Sequence, residues 1–411
     1  MIMQSYPVEP LDLMQYINGK FHEPYIHEMI EVTDGFDELK LIHSITKLVH
    51  IFPILKCVYD SKNNKFIENE NFTINDVLKK DEKTNKDIIL TESLDMTKNL
   101  ILFTLSKNTL FITISHLVCD GSSFKELLYL LCDLYNDNIK ENYDYLMKRD
   151  FEELSKNIQN SKSMTFKMLI SMLGGYKNKK VYESKENEDC FVIQRTLPKE
   201  IMDKIHKNAK KRHATLNDTF LTAYARALNK FNGNKKINIP CTVDLRKYAT
   251  SQTGIANLTG TYNLNVKINK SENFNKTLSK INSKMSKLKS TKNDIAGPML
   301  LVKKYNHSTL NQFLKLYGNM KTSAFTDYTN LGIIDDKKLM FNGSNVINAI
   351  GFSGVQHSPH FQIAVSSFKG ATTFSTLVQC DKKSISLLNQ IMDNFIQEII
   401  SFGSNTYEKE N

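Results

Sequence analysis

The stretch His116-Leu117-Val118-Cys119-Asp120-Gly121 constrains this chain more than any other. It follows an apolar run, Leu110 to Ser115 (LFITIS), whose Phe, Ile and Thr content reads as a buried β-strand. It precedes Ser122 to Tyr135, where Phe124, Leu127, Leu128, Leu131 and Leu134 form one apolar stripe at helical spacing. Ser123 and Glu126 match a capping box at the start of that helix. A histidine is thus held at a strand end, an aspartate follows four residues on, and the positive end of a helix begins just beyond. Such an imidazole can take a proton from a hydroxyl or amine and later return it. Asp120 either orients His116 directly or pairs with an arginine and holds the shape of the loop. Gly121 is expected to take a backbone conformation that a side chain resists. Cys119 raises the alternative of a Cys/His nucleophile pair, but a small buried cysteine is the commoner case.

The rest of the chain alternates strand and helix patterns. Asp37 to Phe52 reads as a helix ended by Pro53, with short strands over Leu55–Asp60 and Lys65–Glu68. Leu100–Ser106 and Leu110–Ser115 flank Lys107-Asn108-Thr109 as a hairpin. From Lys140 to about Cys190 the chain is polar and lysine-rich, broken by Met164 to Leu173 and Gly174-Gly175. This reads as a partly helical connection whose apolar piece either lines a substrate entrance or packs on a lobe. Beyond it come a strand at Phe191-Val192-Ile193, a helix opened near Thr215 or Asn217 and stopped at Gly233, and a strand from Ile237 to Val243. An extended run over Leu258–Ile268 and a lysine-rich helix over Phe274–Lys289 follow. The chain closes with a hairpin over Phe361–Phe368 and Ala371–Val378, then a helix over Ser384–Phe402. We divide the chain into a first lobe (1–150), a connecting segment (151–190) and a second lobe (191–411), of α/β class with mixed sheets.

Composition narrows the function. The net charge is +10, but the basic residues are almost all lysine, with arginine only at 149, 195, 212, 226 and 246. Nucleic-acid readers depend on arginine forks, so a nucleic-acid partner is not expected. A basic mouth for a phosphate-bearing cosubstrate or an acidic carrier protein fits the charge equally well. The six cysteines are scattered without a CxxC pair and read as free thiols of a reducing cytosol. No apolar run is long enough to span a membrane, and the N-terminus has no secretory pattern, so a cytoplasmic location is expected. His357 and His360 are three residues apart, but Pro359 breaks the helix that a zinc pair would need and no third ligand is apparent, so no metal is expected. Phosphate-loop and dinucleotide-binding glycine patterns are absent.

The HxxxDG pattern, with its strand and helix, resembles that of the CoA-dependent acyltransferase superfamily. That group includes chloramphenicol acetyltransferase, plant acyltransferases, alcohol acetyltransferases and the condensation domains of peptide synthetases. HATLNDTFLTAYARAL, PCTVDLRKY, Gly260 to Asn263, Tyr328 to Ile334, and the N-terminal YPVEPLDLMQY extend the likeness over nearly the whole chain. The resemblance implies two chloramphenicol acetyltransferase-like lobes with a tunnel at their interface and His116 midway along it. It implies acyl transfer from a thioester to a hydroxyl or amine, with His116 as general base. Asp120 would then be structural, with Arg246 as its ion-pair partner. Asn330, Ser366 and Ser367 are the candidate oxyanion or substrate-binding residues. Condensation domains usually carry a histidine just before the catalytic one. Ser115 stands there and favours a free-standing acyltransferase over peptide-bond formation; the expected enzyme is cytosolic and bacterial. TNLG replaces the plant family's DFGWG, which argues against a plant-type enzyme. With no fused carrier domain, acyl-CoA is the expected cosubstrate and no cofactor is held tightly. An acyl carrier protein is the alternative donor, and a non-catalytic binding protein or a hydrolase the further alternatives. A double lobe makes its tunnel within one chain, so a monomer is compatible.

Overall fold

The computed structural model describes residues 4–81, 85–140, 142–149, 151, 154, 178–184, 189–269, 271–291, 295–318 and 325–404. The apolar segment at Met164 to Leu173 lies outside the described residues, as do Gly174 and Gly175. The first half runs β1 (Ser5–Pro7), α1 (Pro10–Ile17), β2 (Tyr25–Val32), α2 (Glu38–Ile51), β3 (Cys57–Asp60), β4 (Lys65–Glu68), β5 (Leu78–Lys80), α3 (Lys86–Thr91), β6 (Ile101–Ser106), β7 (Thr109–Ser115) and α4 (Gly121–Tyr135). The second half runs β8 (Cys190–Leu197), α5 (Lys199–Lys211), α6 (Leu216–Asn232), β9 (Lys236–Asp244), β10 (Thr259–Lys267), α7 (Phe274–Ser290), α8 (Ala296–Asn306) and α9 (Leu310–Gly318). It closes with β11 (Thr326–Ile334), β12 (Val346–Ser353), β13 (Phe361–Phe368), β14 (Ala371–Gln379) and α10 (Lys382–Gly403).

The strands form two large mixed sheets and one small one. The first lobe holds a five-stranded sheet in the order β12-β2-β7-β6-β5, with β1-β4-β3 as a separate three-stranded sheet. The second lobe holds a six-stranded sheet, β10-β9-β11-β13-β14-β8. Most pairs are antiparallel, but β5–β6, β11–β13 and β11–β9 are parallel. This is the mixed α/β architecture in two lobes that the strand and helix patterns imply. Each lobe has its own core, and Met29, Phe111, Ile350, Phe352 and Leu377 form a smaller apolar cluster between them.

Local signals explain most element ends. Asp37 caps α2 by accepting from Lys40 N at 3.1 Å. Thr215 and Asp218 form a capping box on α6, and Gly233 ends that helix at φ 65°. The start of α4 differs from the expected Ser123–Glu126 box. Asp120 is the cap, its Oδ1 accepting from Ser123 N at 3.0 Å, which leaves the Ser123 hydroxyl free for a second-lobe partner. Leu127, Leu128, Leu131 and Leu134 are all buried, each contributing about 1.5–3 kcal/mol and anchoring the helix whose first turn carries the site. Over 53–56 the chain is a short 3₁₀ turn instead of the start of a strand, because Pro53 sets its first residue.

The chain crosses between lobes more than a cut at residue 190 implies. β12 comes from the second half yet pairs antiparallel with β2 in the first-lobe sheet. Leu245, Ile255, Ala256 and Leu258 from the β9–β10 connection are buried in the first-lobe core, as are Leu301 and Phe313 of α8 and α9. These crossings clamp one lobe to the other beside His116. Among the described residues no helix is long and apolar enough to cross a membrane.

Candidate active site

His116 follows the last residue of β7, and its backbone N–H donates to Pro24 O at 2.7 Å. Its imidazole Nδ1 lies 3.1 Å from Asn257 Oδ1. The amide's orientation follows from its surroundings. Asn257 Nδ2 faces Asp12 Oδ1 at 2.8 Å and His116 O at 2.8 Å, both acceptors, so the oxygen must face the ring. Nδ1 therefore carries the proton and donates it, which leaves the Nε2 lone pair as the basic site. Among the described residues no side-chain hydrogen bond engages Nε2, while the backbone of His116 and of Cys119 favours the protonated ring. Burial holds the imidazole pKa below its ordinary 6.5, against the opposing pull of the Asp120 charge.

Behind Asn257 stands a buried ion pair. Arg149 Nη2 donates to Asp12 Oδ2 at 2.7 Å and to Leu117 O at 3.2 Å, and Nη1 donates to Val118 O at 2.6 Å. One guanidinium thus ties the motif's backbone to the residue that orients Asn257. Asp12, Arg149 and Asn257 carry no local sequence signal, since they lie 104, 33 and 141 residues from His116.

Asp120 turns away from the imidazole. Its Oδ2 accepts from Arg246 Nη1 at 3.0 Å, Leu258 N at 2.8 Å and Thr259 Oγ1 at 3.0 Å. Burial alone would raise its carboxyl pKa, but the Arg246 charge and these hydrogen bonds hold it below the ordinary value. Arg246 Nη2 also donates to Ser123 Oγ at 2.7 Å and Ala256 O at 2.9 Å. The Asp120–Arg246 pair therefore pins the first turn of α4 to the start of β10.

Gly121 departs from the expected reason for a glycine. It is the first helical residue and has no positive φ; what it supplies is room. A Cβ there would come within 2.7 Å of Leu331 Cδ1. Cys119 is buried, and burial pushes its thiol far above the ordinary range, which removes it as a nucleophile.

A cavity of about 510 Å³ lies between the lobes, lined by His116, Gly121 and Phe124 from the first and by Thr242, Thr259 and Asn330 from the second, among others. Asn330 reaches it, though its amide is already engaged: Nδ2 donates to Asn217 Oδ1 at 3.1 Å and Oδ1 accepts from Gly332 N at 2.8 Å. Ser366 and Ser367 do not line it. Ser366 Oγ accepts from Gly351 N at 3.2 Å, and Ser367 Oγ pairs with Thr372 Oγ1 at 2.8 Å. They lie on β13, whose cavity-facing positions are Gln362, Ala364 and Val365. His357 contacts Glu23 and Gln379, while buried His360 stands 4.0 Å from Asp327. Among the described residues no group of three or more His, Cys, Asp or Glu side chains could hold a metal ion.

With this geometry the chain compares closely with proteins of known structure. Trichothecene 15-O-acetyltransferase from Fusarium sporotrichioides superposes with a TM-score of 0.71 at 13% identity, over 97% of this chain and 95% of that one. The epimerization domain from the third module of tyrocidine synthetase B gives 0.67 at 14% identity, over 100% and 98%. Polyketide synthase associated protein 5 from Mycobacterium tuberculosis gives 0.64 at 13%, over 97% and 99%. At these identities the likeness is one of fold. No curated protein matches by sequence. The condensation domain pattern, however, matches residues 10–307, most of the chain and every part of the site from Asp12 to Asn257. This chain belongs to the condensation domain family.

Proposed function

We propose that this protein is an acyltransferase that moves an acyl group from a thioester, acyl-CoA, to a hydroxyl or amine acceptor, with His116 as general base. The observation that carries the reading is the imidazole of the HxxxDG loop, whose Nδ1 proton is committed to Asn257 and whose Nε2 has no side-chain partner among the described residues, beside a cavity walled by both lobes. Nε2 takes the acceptor's proton as its oxygen or nitrogen attacks the thioester carbonyl. The tetrahedral intermediate collapses, the C–S bond breaks, and the imidazolium returns the proton to the departing thiolate, which leaves as the thiol and restores neutral Nε2. The positive end of α4, at Gly121 and Ser122 in the cavity wall, favours the oxyanion. Asp120 and Arg246 fix the loop without touching the reacting atoms. The cavity brings donor and acceptor together, which supplies much of the rate.

Release of thiol from acyl-CoAs offered mixed alcohols and amines tests the reading. Acceptor-dependent release is the expected result. Release without any acceptor would make the protein a hydrolase, and no release from any donor would leave a binding protein on this fold. A carrier-bound donor is the second reading. Membership of the condensation family favours it, as does the exposed row Lys204, Lys207, Lys210 and Lys211 on α5, which offers positive charge to an acidic carrier surface. Faster transfer from acyl-carrier protein than from acyl-CoA in the same assay selects it.

The pH profile follows from the site. Neutral imidazole is the active form, and its pKa is depressed, so activity is complete at neutral pH and lost only as pH falls through a value below 6.5. A profile of kcat/KM with a hydroxyl acceptor between pH 5 and 8 checks this. A half-maximal point above 6.5 contradicts it.

A further inference from the structure

Glu28 lies on β2 with no exposed surface, and neither carboxyl oxygen has a hydrogen-bond partner among the described residues. A buried carboxyl without partners is costly and calls for a reason. Burial pushes its pKa up to about 8, with the Lys125 charge opposing. Lys125 does not satisfy it: its Nζ donates instead to Leu331 O at 2.6 Å and Ile333 O at 3.2 Å. Tyr129, the other titratable side chain of α4 that feels Glu28, accepts from Asp335 N at 2.8 Å. At this point β11 presents Leu331 and β12 presents Gly351, so neither offers a donor side chain.

The wall in front of Glu28 is unusual. In the pairing of β11 with β13, Asn330 faces Val365 and Gly332 faces Ser366, so Leu331 is the extra residue of a β-bulge. Gly332 follows at φ 76°. The bulge drives the Leu331 side chain between Gly121 and Gly351. A Cβ on Gly351 would overlap Leu331 Cδ2 and lie 3.0 Å from Glu28 Oε2. Glu28, Gly121, Leu331 and Gly351 all border the interlobe cavity. A single leucine, wedged between two glycines, therefore covers a carboxyl in the wall of that cavity.

We propose that this arm of the cavity is an acceptor subsite in which the Glu28 carboxylate receives a protonated amine of the acceptor, reached when Leu331 rotates out from between Gly121 and Gly351. The word acceptor rests on the acyl-transfer reading; the binding of an ammonium group does not. A hydroxyl would give this carboxyl one hydrogen bond. An ammonium brings up to three donors and the charge that a buried carboxylate lacks, since Lys125 is spent on two carbonyls.

The test is calorimetric binding of amino alcohols of three to six carbons, and of the matching diols, to the full chain at pH 7 without donor. We expect the amino alcohol of the right length to bind at least about tenfold more tightly than its diol. Binding releases about one proton, read from buffers of different ionisation enthalpy, because a carboxyl with a pKa of about 8 is mostly protonated at pH 7 and must ionise. Affinity then rises up to about tenfold per pH unit between pH 6 and 8 and levels off above. Glu28→Gln removes both the preference and the proton release, and Leu331→Ala tightens amino alcohol binding. Equal affinity for diol and amino alcohol, or a preference and proton release that persist in Glu28→Gln, overturns the subsite; no gain in Leu331→Ala overturns the wedge. If Glu28→Gln does not fold, proton release and pH dependence in the unmodified protein decide the matter. Amine binding through Glu28 in a protein that transfers no acyl group would sink the acyl-transfer reading and keep this one. Transfer without amine preference would sink this one alone.

Discussion

Replacing His116 by alanine is expected to lower acyl transfer by roughly 10²- to 10⁴-fold while the protein stays folded. The loss follows from the placement of this base: His22 and His27 also border the cavity, but neither stands in the HxxxDG loop, and their Nδ1 atoms are engaged with Glu23 O and Thr113 Oγ1, both at 3.0 Å. The fold should survive because the imidazole makes one hydrogen bond to a side chain, worth about 0.5–1.5 kcal/mol. Asn257 keeps Asp12 and the His116 carbonyl as partners, so the network behind the ring closes without it. The measurement is thiol release at saturating donor and acceptor, paired with a thermal melt of the same preparation. A variant with unaltered melting and unaltered turnover would remove His116 from the chemistry.

The motif itself was legible because its signals are local. A strand rich in Phe, Ile and Thr, a histidine at its end and an amphipathic helix beyond occupy one short run, and β7 and α4 fall where those patterns lie. The hairpin of β13 and β14 and the closing helix α10 were legible for the same reason. What escaped was long-range. α5 escaped for another reason: its Met202, Ile205 and Ala209 recur on one face at helical spacing, but the lysines around them drew attention to charge instead. β12 reads as an unremarkable apolar stretch, and nothing near it in sequence says that it joins β2, more than 300 residues away. The oxyanion candidates show the same limit: by alternation along β13 Ser366 shares a face with the cavity-lining Gln362 and Ala364, yet its hydroxyl sits on Gly351 N, a contact that no local pattern dictates. Gly121 was marked as special for the wrong reason, because the leucine that needs its space arrives from 210 residues downstream.

The Asp120–Arg246 pair predicts an asymmetry in stability that a simple ion pair would not show. Asp120→Ala removes the N-cap of α4 and strands Leu258 N and Thr259 Oγ1, while the partly buried Arg246 guanidinium is left with only the exposed Asp244 as its ion-pair partner. Removing one member of a buried pair costs roughly 3–5 kcal/mol, and the lost cap adds about 1. Arg246→Met strands less. The carboxylate keeps Ser123 N, Leu258 N and Thr259 Oγ1 as donors, and the methionine stem fills part of the space against Ala256. The double variant leaves no buried unpaired charge, since Asp244, the other partner of Arg246, is exposed, so its loss should fall below the sum of the two single losses by more than 1 kcal/mol. Urea denaturation of the three variants reads this directly: Asp120→Ala lowest, Arg246→Met intermediate, and a coupling energy well away from zero. Both single variants should also lose acyl transfer, because α4 and the start of β10 would no longer hold His116 and the cavity wall together. Equal midpoints for the two single variants, or strict additivity, would mean that Asp120 acts elsewhere than in the joint between the lobes, and the case for a purely structural aspartate beside a lone catalytic imidazole would fall with it.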